Sequence, residues 1–249
     1  MKQNSKLDNY QAKQQLLAAR PERAKRDNRL FLLVAIAAVA IAFLGQLIYF
    51  QVGPGASSDE PVVNEAVSED VSEPSLVPDA SLAENRAWTG AMELNGQELG
   101  IELAGDLAPQ AVANFVSLAQ DGYFDQLSCH RLVTEGIYVL QCGDPAGDGT
   151  GGPGYNWGPI ENAPEADLYE EGVLAMARRG NDAESMGSQF FIVYQDSTIP
   201  SDSVGGYTVF GKVTSGLEVV KDIASVGTDD GSSDSSPAEP VLITSISVE

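Results

Sequence analysis

The chain holds one histidine, His130, and two cysteines, Cys129 and Cys142, in 249 residues. That is too few of the usual donors for a zinc centre, so no metal site is expected. A Ser-His-Asp hydrolase would have to use His130 as its base. His130 stands beside Arg131 in a strand-like run, so its side chain is expected on the opposite face, as a core histidine. Bases are scarce too once the N-terminus is set aside. Residues 1–29 contain eight of the 14 Lys and Arg against three acids, whereas the rest of the chain carries six bases and 33 acids. Binding to nucleic acid needs clustered Lys and Arg that release counterions from phosphate. An acidic body of this kind excludes nucleic acid as a general partner.

Charge is missing altogether from Leu30 to Phe50, where Gln46 is the one strongly polar side chain. A helix of that length rises about 30 Å, enough to cross a bilayer core. A cleaved signal peptide has a shorter apolar stretch, roughly 7–15 residues, and an Ala-x-Ala-like site, which does not follow here. No cysteine follows to accept a lipid. The reading is a basic cytoplasmic tail (1–29) and an uncleaved transmembrane signal anchor (30–50). The excess of bases before the span places the remainder outside a plasma membrane, as a single-pass protein. Residues 51–85 lack aromatics and are rich in Glu, Asp, Ser and Pro. They have too little apolar surface to offset ordering entropy, which predicts a flexible acidic linker. The globular body is then 86–249.

In that body, Asn95-Gly96 between partly alternating segments predicts a two-residue hairpin. Pro109 and Gly122 bracket a helical pattern. Short strands are expected around Leu132, Val139, Leu174, Phe191 and Val209, a second helix over 217–224, and a final strand in 241–248. Two helices among many short strands suggest a mainly β, closed antiparallel barrel. Asp229 to Ser236 reads as a solvated loop. Four segments stand out: Cys129-His130-Arg131-Leu132, then Tyr138-Val139-Leu140-Gln141-Cys142-Gly143-Asp144, then Ser188-Gln189-Phe190-Phe191-Ile192, and Val209-Phe210-Gly211-Lys212-Val213 downstream.

The order and spacing of these segments resemble the cyclophilin family of peptidyl-prolyl cis-trans isomerases, over roughly Trp88 to Glu249. The resemblance implies an eight-stranded barrel capped by two helices, no cofactor, and proline-containing peptides as ligands. Unfolded exported proteins would be the clients, and the protein is expected to be a monomer. It makes Arg131 the catalytic residue. Tyr138, Val139 and Phe191 would line the proline pocket, Gln141 would bond substrate backbone, and Gln189 would shape the same face. Ala177 matches the family pattern, but Arg178 stands where Asn is common. Ile199 or Pro200 falls where the family has a rim tryptophan, and Tyr207 replaces a rim histidine. The alternative implied by these departures is a weakly active or inactive module that binds proline-containing segments.

Gly147 to Gly152 matches G-x-G-x-x-G, but Pro153-Gly154 follow instead of a helix, so a dinucleotide site is not expected. Asp144 and Asp148 lack the spacing of a calcium loop. Cys129 and Cys142 lie on neighbouring segments, and an oxidising compartment favours a disulfide. Strand parity opposes it, because Cys129 shares a face with Arg131 while Cys142 alternates with Gln141. A bulge would reconcile the two, and a pair of packed thiols is the other possibility.

Overall fold

The computed structural model describes residues 75–249. The basic tail, the anchor at 30–50 and linker residues 51–74 lie outside the described residues. Among the described residues no helix is long and apolar enough to cross a membrane. The body extends upstream of Arg86, into residues assigned from sequence to the linker. A 3-10 turn at Ala80–Ala83 buries Ala83, whose carbonyl accepts the indole N–H of Trp88 at 2.9 Å.

Strands β1 (Ala87–Leu94) and β2 (Gln97–Ala104) form the expected hairpin. Asn95 and Gly96 both take positive φ, 51° and 77°, as a turn matching the right-handed strand twist requires. Helix α1 (Pro109–Gln120) follows, with Pro109 at its first turn. Its N-cap, Ala108, has no side-chain oxygen. The Glu161 carboxylate substitutes from a distant loop, accepting the N–H groups of Gln110 and Ala111 at 3.0 and 2.9 Å.

The remaining strands are β3 (Arg131–Val133), β4 (Val139–Cys142), β5 (Leu168–Tyr169), β6 (Val173–Met176), β7 (Phe190–Val193), β8 (Ser197–Thr198), β9 (Val209–Ser215), β10 (Asp234–Ser235) and β11 (Ile243–Val248). Helix α2 spans Glu218–Val226. Nine strands make one curled antiparallel sheet in the order β10-β3-β4-β7-β6-β9-β2-β1-β11, and β5 pairs with β8 separately.

The expected closed eight-stranded barrel is not what forms. The sheet stays open, and the reason is β10. It pairs with β3, Asp234 opposite Val133, and so occupies the edge that β11 would need. Just before β3 and β11 the two edges meet at a bridge between Ser128 and Leu242, flanked by backbone hydrogen bonds from Gln126 to Ile243, Cys129 to Val241 and Ile243 to Leu127, without forming a strand ladder. The stretch 229–236, read from sequence as a solvated loop, thus contributes an edge strand.

Period-2 alternation divides the apolar residues between two clusters. Leu132, Leu140, Cys142, Leu174, Phe190, Ile192 and Phe210 face the main core with α1. There Phe115 packs against Phe124, Phe190 and Phe210 with centroids 5.0–5.5 Å apart. Val133, Val139, Ala175, Phe191 and Val193 face the other way, with Tyr169 and Ile199. The candidate site grows on this second face.

Candidate functional site

Register aligns the side chains that matter. Arg131 on β3 lies opposite Gln141 on β4, Gln141 opposite Phe191 on β7, and Phe191 opposite Ala175 on β6. One transverse row thus carries a cation, an amide, an aromatic ring and a methyl group. Residues that face each other in antiparallel strands are within contact reach.

A notch of about 170 Å³ opens over this row. It is lined by Arg131, Ile137, Val139, Gln141, Ala177, Arg178, Phe191, Ile199 and Tyr207. Its floor is the Phe191 ring, meeting Tyr207 edge to face at 5.5 Å and 84°. Tyr169 supports Tyr207 from behind. Its hydroxyl accepts the Tyr207 N–H at 2.7 Å, and burial raises its pKa. A second concavity of about 290 Å³ shares Gln141, Ala177 and Arg178 with the first and continues over Gly149, Gly151, Arg179 and Gln189.

A directional chain of hydrogen bonds crosses both. Arg131 donates through Nε and Nη2 to the two Asp234 carboxylate oxygens, each at 2.7 Å, and through Nη1 to Gln141 Oε1 at 3.2 Å. Gln141 Nε2 donates to Gln189 Oε1 at 2.9 Å. Gln189 Nε2 then donates to the carbonyls of Gly149 and Gly151 at 3.0 and 2.9 Å. Because Arg131 has no acceptor, this chain fixes which end of each glutamine amide points where. The carboxylate raises the Arg131 pKa, and Arg131 holds the Asp234 carboxyl below the ordinary range, in each case mainly through their hydrogen bonds. The glycine-rich loop is tethered by the buried Asp144, which accepts the N–H groups of Ala146, Asp148 and Gly149.

Most residues singled out in the sequence meet here. Arg131, Val139, Gln141, Ala177, Arg178, Phe191, Ile199 and Tyr207 line the notch, and Gln189 its neighbour. Two do not. Tyr138 shares the parity of Leu140, not of Val139, so it turns away and stacks edge-on with Tyr194 at 5.9 Å. Its expected place is taken by Ile137, which the same alternation identifies. Pro200 is exposed, while Ile199 before it is buried against the notch. Arg178 is engaged through its side chain as well as lining the notch. Its side chain is 1% exposed and pairs with Asp202 at 2.8 Å. It also donates to the carbonyls of Gly206 and Gly205 at 2.9 and 2.6 Å, with the guanidinium 4.9 Å from the Tyr207 ring centroid.

His130 is not a core residue. It is half-buried just before β3, its Nδ1 has no partner among the described residues, and burial lowers its pKa. Cys129 and Cys142 are joined by a disulfide. The parity objection fails because β3 begins at Arg131, so Cys129 lies outside the alternating segment. No group of His, Cys, Asp and Glu among the described residues is arranged to hold a metal ion.

The family model described as "Cyclophilin type peptidyl-prolyl cis-trans isomerase/CLD" matches residues 90–248. Probable peptidyl-prolyl cis-trans isomerase B of Mycobacterium tuberculosis is 44% identical over 168 residues, 63% of this chain and 53% of that protein. The chain therefore spans about half the length of the mycobacterial relative it matches. Peptidyl-prolyl cis-trans isomerase B of Bacillus subtilis is 44% identical over 131 residues, covering 52% of this chain and 85% of that one. Among solved structures, a cyclophilin type peptidyl-prolyl cis-trans isomerase of Cryptosporidium parvum, crystallised in the presence of the dipeptide Ala-Pro, aligns at 30% identity with a TM-score of 0.55. The alignment covers 65% of this chain and 98% of that one.

Proposed function

Because the chain belongs to the cyclophilin-type peptidyl-prolyl cis-trans isomerase family, we propose that it catalyses rotation about X-Pro peptide bonds, with Arg131 as the electrostatic catalyst. Amide resonance opposes this rotation with a barrier of roughly 18–20 kcal/mol. In the twisted amide the prolyl nitrogen loses conjugation and gains a lone pair. A cationic donor aimed at that nitrogen stabilises the twisted state more than the planar one, which is what acceleration requires. The proline ring would sit on Phe191, between Val139, Ile199 and Tyr207. Gln141, already oriented by Arg131 and Gln189, would hold the peptide backbone so that one side of the bond turns. No covalent step, metal or organic cofactor is needed.

The observation that carries this reading is the Arg131–Gln141–Phe191 row beneath a notch large enough for a proline ring. A protease-coupled assay on an Ala-Pro peptide tests it. Removing one preorganised transition-state donor typically costs on the order of 10²–10³ in rate, and Arg131→Ala should fall by that order. Equal rates for wild type and Arg131→Ala would refute the assignment. Peptide binding with no rate above background in either protein would favour the non-catalytic module. The replaced rim residue Tyr207 and the engaged Arg131 fork are the features that support that alternative.

The expected setting is a monomer tethered by residues 30–50 to a plasma membrane. Its basic tail would be cytoplasmic and its acidic body outside, acting on exported proteins as they fold. The charge asymmetry about the apolar run and the disulfide both support this placement.

A further inference from the structure

Asp234 is separated from Arg131 by 103 positions, yet its two carboxylate oxygens hold two of the three guanidinium nitrogens of Arg131. The segment around it is built with polar bonds. Ser235 Oγ donates to Asp229 Oδ1, Ser236 Oγ donates to the His130 carbonyl, and the Thr134 N–H donates to the Ser233 carbonyl. The bridge between Thr228 and Pro237 closes the base of the loop. Buried apolar side chains contribute almost nothing between Asp229 and Ser236. This segment seats one carboxylate at the edge of β3 and keeps β3 unpaired with β11.

We propose that Asp234 is a positioning residue for catalysis: by clamping the Nε–Nη2 edge of Arg131 it locks the fork so that Nη1 and the guanidinium face are presented to the notch. This rests on the isomerase reading given above. The side chains of Arg131 and Asp234 are 40% and 49% exposed, so the pair adds little to stability. Its effect on geometry is of a different kind. An arginine held at one nitrogen only retains several rotamers, whereas bidentate attachment leaves one. Opposing this, the carboxylate offsets part of the positive charge that Arg131 directs at the amide. The two effects predict opposite signs. If charge dominated, deleting Asp234 would accelerate turnover. Asp234 is half exposed and does not line the notch, so solvent screens its carboxylate more than it screens the notch-facing side of Arg131; orientation dominates and deletion slows turnover.

The test uses the full chain, with Asp234→Ala and the near-isosteric Asp234→Asn, alone and combined with Arg131→Ala. Asp234→Ala should lower kcat on the order of tenfold, equivalent to about 1.4 kcal/mol in the barrier, with KM and melting temperature nearly unchanged. Asp234→Asn, keeping one acceptor, should fall between. In the Arg131→Ala background neither substitution should have a further effect. In a 15N-arginine spectrum, the Nε–Hε signal identified by its absence from Arg131→Ala should shift in Asp234→Ala. Unchanged or increased kcat in both Asp234 variants overturns the proposal, as does an equal loss in the Arg131→Ala background. A wild type inert on the peptide would strike the isomerase reading instead. The spectrum would then decide the clamp alone, and an unmoved Arg131 signal would refute it.

Discussion

Reducing the Cys129–Cys142 bond should lower stability by an amount set mainly by the loop it closes. The two residues are 13 positions apart, and both are packed in the core at 3% and 0% exposure. For a closed loop of about 14 residues, the chain-entropy relation gives about 3 kcal/mol at 25 °C, gained by restricting the unfolded chain. In the folded state the reduced pair remains compatible with the core, because buried thiols behave as small hydrophobes once the two sulfurs rotate apart to van der Waals contact. For a body of this size, about 3 kcal/mol corresponds to a melting-temperature fall of roughly 6–12 °C. The assay is a thermal melt of oxidised and reduced protein, with thiol titration before and after denaturation. Native protein should release no thiol when unfolded without reductant, and two after reduction. A reduced sample with two titrated thiols and a melting point within about 2 °C of the oxidised form would refute the loop-entropy account. Two free thiols in the untreated protein would remove the bond itself.

Two further outcomes are expected. Arg178→Ala deletes a buried cation whose hydrogen bonds to the Gly205 and Gly206 carbonyls contribute about 1.5–3 kcal/mol each. It also frees the loop that carries Tyr207, so KM should rise several-fold with a smaller change in kcat and a lower melting temperature; an unchanged KM would show that Tyr207 is held without it. Protease added to intact cells should remove the body while leaving the basic tail protected, and a protected body would place the domain on the cytoplasmic side.

The local signals were legible because they are local. Asn95-Gly96, Pro109 and Gly122 each constrain φ within a few residues, and the structure uses each as the sequence implies. The notch residues came from the family resemblance, and alternation along β4 and β7 agrees with it in part, separating Val139, Gln141 and Phe191 from Leu140, Phe190 and Ile192. Tyr138 was misplaced only where family pattern was preferred over that alternation. What could not be read depends on partners far along the chain. Asp234 sits in a serine-rich acidic run with no apolar periodicity, so nothing nearby marks it as a strand or as the partner of Arg131. Glu161 capping α1 across about 50 positions is of the same kind. The open sheet follows from the β10–β3 pairing, and so from the same unseen contact.

The candidate site depends on strand register as well as on its side chains. A slip of one residue in β4 would turn Leu140 and Cys142 toward the notch face and turn Val139 and the half-buried Gln141 into the main core. Withdrawing Leu140 from the main core would forfeit about 2 kcal/mol of its packing there. Sinking the Gln141 amide without partners would cost about 1–3 kcal/mol more. The hydrogen bonds that order Gln141 oppose the slip from one face, and Phe190, Ile192 and the main core oppose it from the other. The disulfide acts at the same place. It ties Cys142, the residue after Gln141, to Cys129, two residues before Arg131, so the two strands carrying the cation and the amide are joined covalently beside their pairing point. A core-facing bond therefore holds the register on which the groove-facing chemistry depends.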